Sequence, residues 1–589
     1  MTPEGTLVER SALGRAWRLR RCDERLALAL SQRLGLDEIT GRVLAGRGVG
    51  LDEAPGFLEP RLRAFLPDPS HLLDLDRAAA RLADAVEAGE KVGLLGDYDV
   101  DGASSTALLA RFLRCLGSEV ATDIPDRLTE GYGPSEASLG RLAAQGCRTV
   151  VTLDTGTTAH APLAAAARAG QEVIVVDHHL SETELPTALA VVNPNRIDQA
   201  SPLKHLAAVG VTFVLVVAIA REMRRRGFFA ARPEPDVLQW LDLVALGTVC
   251  DVVPLTGLNR AFVHQGMKVM ARGGNAGLGA LAQQARLGAM QDAWQLGFAL
   301  GPRINAGGRI GRSDLGARLL ATDDPSEAAG LAQRLDELNQ RRQAMEREQM
   351  AIAVEAVAAS VAAGEPVVVA ADPRFHPGVV GILASRLVER MHRPAFVVAI
   401  GEDGIGRGSA RSVPGFDLGS AVLAARDAGI LVKGGGHPMA AGVTLDAGRI
   451  GELQAFVGAR FVPSAAAGTP GPAPFELDGA LAVGGVTPAL ALQLERLAPF
   501  GPGNAEPLFA LQDARVVDVR PVGDGHLGCT LAGPAGGRVR AIAFRCRGNA
   551  VGEMLMGQQT LRLAGRVKVD RWQGREGAQF QIDDAAPAG

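Results

Sequence analysis

Carboxylates and imidazoles recur in this chain directly behind short apolar runs, a placement suited to chemistry on a charged substrate. "KVGLLGDYDVDG" sets Asp97, Asp99 and Asp101 behind Val92–Leu95, "TVVTLDTG" sets Asp154 behind Val150–Leu153, and "EVIVVDHH" sets Asp177, His178 and His179 behind Val173–Val176. A fourth segment, "VALGTVCDVVPL", delivers Asp251 after an apolar helical stretch. Ligands of a parallel sheet gather outside the carboxyl ends of its strands, so these segments would empty at least five acids and two imidazoles into one crevice. Negative charge at that density repels itself unless a cation is present. Asp oxygens with imidazole nitrogens suit Mn²⁺, Mg²⁺ or Zn²⁺, and the lack of nearby cysteines favours the harder ions. Taken singly, an Asp can cap a helix and a His can sit satisfied on the surface. The shared placement of the whole set favours a metal centre.

The elements that must position these residues follow from the patterning. From 78 to 322 the β-rich runs alternate with Ala/Leu-rich helical stretches (103–116, 136–145, 161–169), which reads as βαβ units and a mostly parallel sheet. Residues 1–77 are Arg- and Leu-rich, close with "PGFLEPRLRAFLPDPS", and read as an N-terminal cap on the domain that follows. Asp324-Pro325-Ser326 supplies a helix cap and a first-turn proline. Leu331, Leu335, Leu338, Met345, Ile352 and Val361 then recur at near-helical spacing up to Gly364, so 323–364 reads as a connector helix. Over 365–462 a second α/β unit is expected, with strands Val367–Ala371 and Phe396–Ile400 and helices 378–391 and 417–427. Over 463–589 the linker "VPSAAAGTPGPAP" precedes the β-like runs "RVVDVRPV", "RVRAIAF" and "TLRLAGRVKV". Short strands with Gly-rich turns read as a small barrel or sandwich.

Composition bounds the function. At about 150 residues per domain, 589 residues suggest about four units. Hydrophobic residues make up 47% and charged residues 21%, which excludes intrinsic disorder. The longest apolar run, Leu206 to Ala220, is 15 residues, short of the roughly 20 that span a membrane, and reads as a buried helix. The first residues carry charges throughout, and the six cysteines lack CxxC spacing; the expectation is a cytoplasmic protein without membrane attachment, disulfide framework or zinc knuckle. With 61 Lys+Arg against 65 Asp+Glu the net charge is −4, so nucleic-acid binding would rest on local basic surface. Such a surface lies between 513 and 575, where 11 Lys/Arg face 5 Asp/Glu.

These residues carry a resemblance. "DHH" at 177–179, with the DxD at 99–101, "DTG" at 154–156 and the Asp of "GTVCDVVPL", resembles the DHH superfamily of phosphoesterases. "IPDRLTEGYG" (124–133), "GPRINAGGRIG" (301–311), "HPGVVGILASR" (376–386), "RGSARS" (407–412), "GGGHPMAAG" (434–442) and "LAPFGPGNAEPLF" (497–509) are similar to the RecJ family of single-stranded-DNA-specific 5′→3′ exonucleases within it. The resemblance implies an α/β fold with a parallel-sheet DHH domain, a second α/β domain (DHHA1) that closes over the substrate, and a C-terminal OB-like β-barrel that grips single-stranded DNA. It implies one or two Mn²⁺ or Mg²⁺ ions, a metal-dependent hydrolysis releasing 5′-mononucleotides, and a place in recombination and repair beside a helicase and the single-strand-binding protein. A monomer is the default. The alternatives are a nano-RNA or phosphonucleotide phosphatase of the same superfamily, and an inactive DNA-binding scaffold.

By that resemblance Asp154 bridges two ions, Asp99 serves one, and Asp101, His178 and Asp251 serve the other. His179 is a transition-state donor or an orienting neighbour, and Asp97 is a ligand or orients water. Many DHH enzymes carry a histidine four residues before the first Asp of the DxD pair; here that residue is Leu95, which leaves the first site to lean on Asp97 or on substrate phosphate. The glycines of "GGGHPMAAG" (Gly435 and Gly436 among them) with His437 read as an anion pocket beside a helix start. Arg411, flanked by Ser409 and Ser412, offers a bidentate guanidinium, and Arg127 is similar to the family arginine that joins them around a 5′-phosphate. Arg303, Asn305 and Arg309 either contact the backbone near the scissile phosphate or brace the cleft. In the barrel, Arg562, Arg566, Lys568 and Arg571 are the candidate strand-binding cations, and Trp572 is either core or a stacking platform.

Overall fold

In the computed structural model the β-rich runs of the first α/β unit become one all-parallel sheet. The structure describes residues 5–588 apart from 128, 132, 289, 291, 462–472 and 573–574; most of the expected linker lies outside the described residues, as does the side chain of Trp572. The strands are β1 (Val92–Gly96), β2 (Val120–Asp123), β3 (Thr149–Leu153), β4 (Glu172–Val176) and β5 (Ala190–Val192), in the order β2-β1-β3-β4-β5. Every residue of β1 and β3 is buried, as expected of a parallel sheet covered on both faces. On one face Leu94, Val151, Ile174 and Val176 pack on helices α1 (Val100–Cys115) and α2 (Ala208–Arg225). On the other, Leu95, Val150, Val173 and Val175 pack on Leu139, Leu142 and Leu163. The chain leaves β1 for the edge strand β2 and returns past β1 to β3. The order therefore reverses between β1 and β3, the point where ligands bind in open α/β sheets.

Three more helices frame that crevice: α3 (Leu241–Cys250), α4 (Gly301–Ile310) and α5 (Pro325–Ala362). Asp324 caps α5 by accepting from the Ser326 N–H. At 38 residues the helix is about 57 Å long. Its first half buries Ala328, Leu331, Leu335 and Leu338 in the first core, and its second half buries Met350, Ala353 and Val357 in the next. It is shared by both cores rather than strung between them.

The second unit is a sheet of β6 (Val368–Asp372), β7 (Ala395–Ile400), β8 (Ile405–Arg411), β9 (Lys433–His437) and β10 (Ala440–Asp446), in the order β9-β10-β8-β7-β6. Only β6 and β7 pair in parallel. Helix α6 (Val380–Met391) covers one face and α7 (Leu418–Asp427) the other. Beyond the linker, Phe509–Val522, His526–Ala532, Arg538–Ala543, Thr560–Trp572 and Arg575–Pro587 form a barrel, closed where Phe509–Val522 pairs with Thr560–Trp572.

The N-terminal region has two partners: Leu62, Phe65, Leu66, Leu72 and Leu75 pack on the first α/β core, with Arg260 and Gln265 donating to the Phe57 and Pro60 carbonyls, while its earlier residues turn to the barrel. Its strand Trp17–Leu19 pairs with Phe475–Leu477, and its Ala27, Leu30, Val43, Leu44 and Leu58 share one core with the barrel's Phe509, Leu561, Leu563 and Phe580. Buried Asp584 accepts from Trp17 Nε1 at 3.1 Å and from the Ser11 hydroxyl. The physical reason is that the amphipathic helices here find their apolar partner more than four hundred residues away. No helix among the described residues is long and apolar enough to cross a membrane.

Candidate active site

The crevice at the switch point collects the acids from four elements. Asp97 and Asp99 follow β1, and Asp99 caps α1 through the Gly102 N–H at 3.0 Å. The turn between them is tight enough that a Cβ on Gly102 would lie 2.5 Å from the Asp97 carbonyl oxygen, so only glycine fits. Asp101 lies inside α1, 1% exposed, with both oxygens taken by the Ala208 and Val209 N–H groups that begin α2. Asp154 leaves β3 in a left-handed conformation (φ 63°), a strained state for a residue with a side chain that is retained at functional positions. Asp251 caps the carboxyl end of α3.

His178 joins these groups. Its Nε2 lies 3.3 Å from Asp154 Oδ1 and 3.9 Å from Asp101 Oδ2, and its Nδ1 lies 3.7 Å from Asp251 Oδ2. Three overlapping sets have ligand atoms within 4.8 Å of one another: Asp97, Asp99 and Asp154; Asp101, His178 and Asp251; Asp154, His178 and His179. Burial pushes Asp97 and Asp251 up to about 7 and holds Asp101 and Asp154 well above the usual carboxylate range, with neighbouring carboxylates adding to the rise. Burial drives His178 down to about 4. Asp154 Oδ1 and Asp251 Oδ2 are buried without any hydrogen-bond partner. Buried polar atoms are rarely orphaned, and hard oxygen donors with one imidazole fit a divalent ion of the Mn²⁺ or Mg²⁺ kind.

Leu95 has no part in this. It is fully buried among Ala121, Leu142, Cys147 and Val150 on the sheet face whose helices are 136–144 and 160–168. Asp97, not residue 95, stands with Asp99 and Asp154 in the first set.

Sequence reasoning passed over the frame that holds the histidines. Asp177 accepts from the His178 and His179 N–H groups, from Thr157 N–H at 3.0 Å, and from His179 Nδ1 at 2.7 Å. Burial alone would raise its pKa, but the His179 hydrogen bond and charge and the Thr157 N–H outweigh it and hold the carboxyl well below its usual range. The same hydrogen bond raises half-exposed His179 to about 9. Asn193 and Asn195 donate to the carbonyls of His179 and His178. The signal was present as "NPN" behind β5, a fourth polar cluster at a strand end.

Above the acids stands a group of uncompensated cations. The Arg127 guanidinium lies 5.2 Å from the Tyr98 ring centre, and Tyr98 itself packs so closely on α4 that a Cβ on Gly308 would sit 2.3 Å from it. Arg309 and Arg411 are both pushed below the usual guanidinium range, by burial first and then by the charge of Arg127. Among the described residues none of Arg127, Arg309 and Arg411 has a carboxylate partner. Arg411 Nη1 donates to Ser409 Oγ and to the Ala410 carbonyl, both at 2.9 Å, which fixes its direction.

The glycine run forms a β-hairpin that lies beside the start of α7. Gly434–His437 lies in β9 and Ala440–Gly442 in β10, a hairpin whose turn is packed by the first residues of α7. Opposed residues of an antiparallel ladder share a face, so Ser409, Gly442 and Gly435 line up, as do Arg411, Ala440 and His437. A Cβ on Gly435 or Gly442 would meet nothing within 4 Å, whereas one on Gly436 would lie 2.3 Å from the Ala440 carbonyl oxygen. Gly435 thus leaves an open shelf beside Arg411, and Gly436 serves packing.

The remaining candidates divide. Arg303 is held by Asp336 of α5 at 2.8 Å and by the Ala299 carbonyl, so it braces the cleft. Asn305 is half-buried, with Oδ1 unpartnered. In the barrel, Arg566 and Lys568 pair with Glu506, Arg566 also with Asp583, and Arg571 with Glu495, while Arg562 donates to the Leu7 carbonyl. These are structural cations rather than a free strand-binding row. Exposed Arg515, Arg520, Arg538, Arg545 and Arg547 carry no ion pair among the described residues.

Comparison with known proteins bears on this arrangement. Family models match in three places: the DHH family N-terminal domain over residues 91–248, the DHHA1 domain over 364–462 and the RecJ OB domain over 477–584. The chain is 37% identical to the single-stranded-DNA-specific exonuclease RecJ of Dickeya dadantii, over 94% of this chain and 96% of that protein. It is 34% identical to the RecJ of Bacillus subtilis, over 97% of this chain and 70% of that protein. The crystal structure of RecJ in complex with Mn²⁺ from Thermus thermophilus superposes with a TM-score of 0.78 at 32% identity, covering 97% of this chain and 80% of that one.

Proposed function

The chain belongs to the RecJ family of single-stranded-DNA-specific exonucleases, and from that premise we propose how its own residues shorten a single strand from the 5′ end. The observation that carries the reading is the pairing of two buried carboxylate oxygens, Asp154 Oδ1 and Asp251 Oδ2, with guanidiniums, the oxygens lacking a hydrogen-bond donor and the guanidiniums a carboxylate among the described residues. The first binds cations and the second binds the terminal phosphate of a polyanion.

Asp97, Asp99 and Asp154 would hold one cation and Asp101, His178 and Asp251 another, with Asp154 beside both because His178 Nε2 lies 3.3 Å from its Oδ1. Divalent cations held there supply Lewis acidity toward the phosphoryl oxygens and lower the pKa of the attacking water. Asp101 is fixed by two backbone N–H groups, so its position is set before any ion arrives. His179, kept as a proton donor by Asp177 and half-exposed, donates to the phosphate under attack. Arg127 and Arg411 grip the 5′-phosphate over the Gly435 shelf, with Ser409 and His437 beside them, and Arg309 contacts the next phosphate. Because one terminal phosphate is anchored at a fixed offset from the acids, cleavage releases a unit of fixed length, a 5′-mononucleotide. The enzyme works on DNA in the cytoplasm, and a helicase and a single-strand-binding protein are its proposed partners in repair and recombination.

The test is digestion of a 5′-phosphorylated, 3′-labelled oligonucleotide with Mn²⁺, Mg²⁺ or EDTA, against the matched duplex. Shortening from the 5′ end of the single strand, with metal alone, is the expected result. Asp154→Asn, which tolerates the left-handed backbone, should abolish it. Cleavage by that variant, or cleavage in EDTA, would overturn the assignment.

A further inference from the structure

Two large aromatic side chains stand in solvent on the segment that packs against Val249 and Cys250, the residues just before Asp251. Trp294 is 61% exposed and Phe298 is 69% exposed, yet their rings are stacked, with centroids 5.5 Å apart and planes 17° from parallel. The chain has four Trp in all, and the described Trp17 and Trp240 are buried. The stack arises because Gln295–Leu300 is a π-helical segment running into α4. Residues four apart on a helical turn are surface neighbours, and π-helical insertions are frequent at functional sites.

The segment touches both ends of the route a strand must take. On one side the Cys250 thiol donates to the Leu296 carbonyl, and Gly297 lies against Val249. The next residues are the ligand Asp251 and Val252, which is 66% exposed with a φ of 62°. A β-branched side chain in that conformation is strained, and strain of this kind persists at binding sites. On the other side Ala293 packs with Leu255, whose N–H donates to the Pro502 carbonyl at 2.7 Å, in the loop that docks the barrel domain. The aromatic pair therefore sits on one element that spans from metal ligand to barrel.

We propose that Trp294 and Phe298 form a base-stacking platform for single-stranded DNA between the barrel and the metal centre, with Val252 as an apolar edge. The inference rests on the exonuclease reading above. It adds a sequence-tolerant contact, since every base presents a π-face. A duplex, whose bases are stacked on each other, cannot use it. The platform thus contributes to strand selectivity independently of cleft width.

The test compares a 5′-phosphorylated oligodeoxythymidylate with an oligonucleotide of the same length made of abasic residues, by fluorescence anisotropy in EDTA. Trp294→Ala and Phe298→Ala should each weaken the thymidylate complex by about 5- to 150-fold and leave the abasic complex unchanged. The slope of log K against log salt should not move, because no phosphate contact is lost. Phe298→Tyr should restore binding. Equal losses on both oligonucleotides, unchanged binding of both, or an altered salt slope would each overturn the platform. The exonuclease reading fails separately, if the unaltered protein with Mn²⁺ leaves the single strand intact.

Discussion

Leu95→His is the substitution that best separates two ways of reading the metal centre. If residue 95 faced the acids, an imidazole there would complete the first ligand group and add or tighten a metal site. The structure places the side chain fully buried on the other face of the sheet, among Ala121, Leu142, Cys147 and Val150. Removing a fully buried leucine from that core forfeits about 1.5–3 kcal/mol of apolar burial. Leaving a ring N–H there without a partner costs about 1–3 kcal/mol more. The expected destabilisation is therefore about 2.5–6 kcal/mol, the simple sum of those two effects, and no new metal equivalent. Leu95→Met, which keeps volume and polarity, should cost less than about 1.5 kcal/mol. Calorimetric unfolding of the first α/β unit, read beside Mn²⁺ stoichiometry by isothermal titration, checks both halves. A Leu95→His protein that melts like the parent and binds an additional Mn²⁺ would refute the placement of β1 and the role given to Asp97.

Five further outcomes are expected. Arg411→Ala should lose about 10- to 150-fold in affinity for a 5′-phosphorylated strand, the worth of one charge-assisted contact, with little change for a 5′-hydroxyl strand. Gly435→Val, at a position where a Cβ meets nothing, should reproduce that loss while its unfolding profile stays that of the parent. Asp177→Asn should reduce Mn²⁺ affinity or turnover by about 10- to 100-fold with the circular-dichroism spectrum retained, since Asp177 orients both histidines. Asp242 is 2% exposed and burial pushes it up to about 6, so the folded state prefers it neutral and loses stability as pH rises through that value. Asp242→Asn should match the parent near pH 4 and exceed it by up to about 3 kcal/mol near pH 8; a difference constant across that range would refute the assignment. In the barrel, Arg520→Ala and Arg545→Ala should each flatten the salt slope of strand binding by about 0.7, whereas Arg566→Ala and Lys568→Ala should not.

The first sheet was legible because a single local pattern carries two messages. A run such as "TVVTL" says strand by its β-branched content, and an Asp directly behind it says carboxyl end. Three such coincidences, with Asp251 added from a helix end, place the acids together without any knowledge of packing. The long helix was legible for a similar reason, since a capped start at Asp324 and apolar residues at helical spacing are both local. The conformation of "GGGHPMAAG" was not legible, for the opposite reason. Glycine has no side-chain period, so the run cannot distinguish a phosphate-binding turn from an edge hairpin, and it is the pairing of β9 with β10 that decides.

What stayed hidden depends on partners distant in sequence. The N-terminal helices show an apolar face but not what covers it, and the answer lies in the barrel, as the Trp17–Asp584 hydrogen bond across 567 residues illustrates. The cations of the barrel show the same limit in electrostatic form. A count over 513–575 finds 11 Lys/Arg against 5 Asp/Glu, yet Glu495, Glu506 and Asp583, which lie outside that window, neutralise Arg571, Lys568 and Arg566. Charge counted along the chain measures what a segment carries. What a polyanion meets is the charge left after folding has paired the rest, and here that residue of charge moves from Thr560–Trp572 to the arginines of Phe509–Val522 and of the strand and loop at 538–547. The aromatic pair at 294 and 298 follows the same logic: apolar spacing predicts burial, and only the fold reveals a stacked pair left in solvent beside a metal ligand.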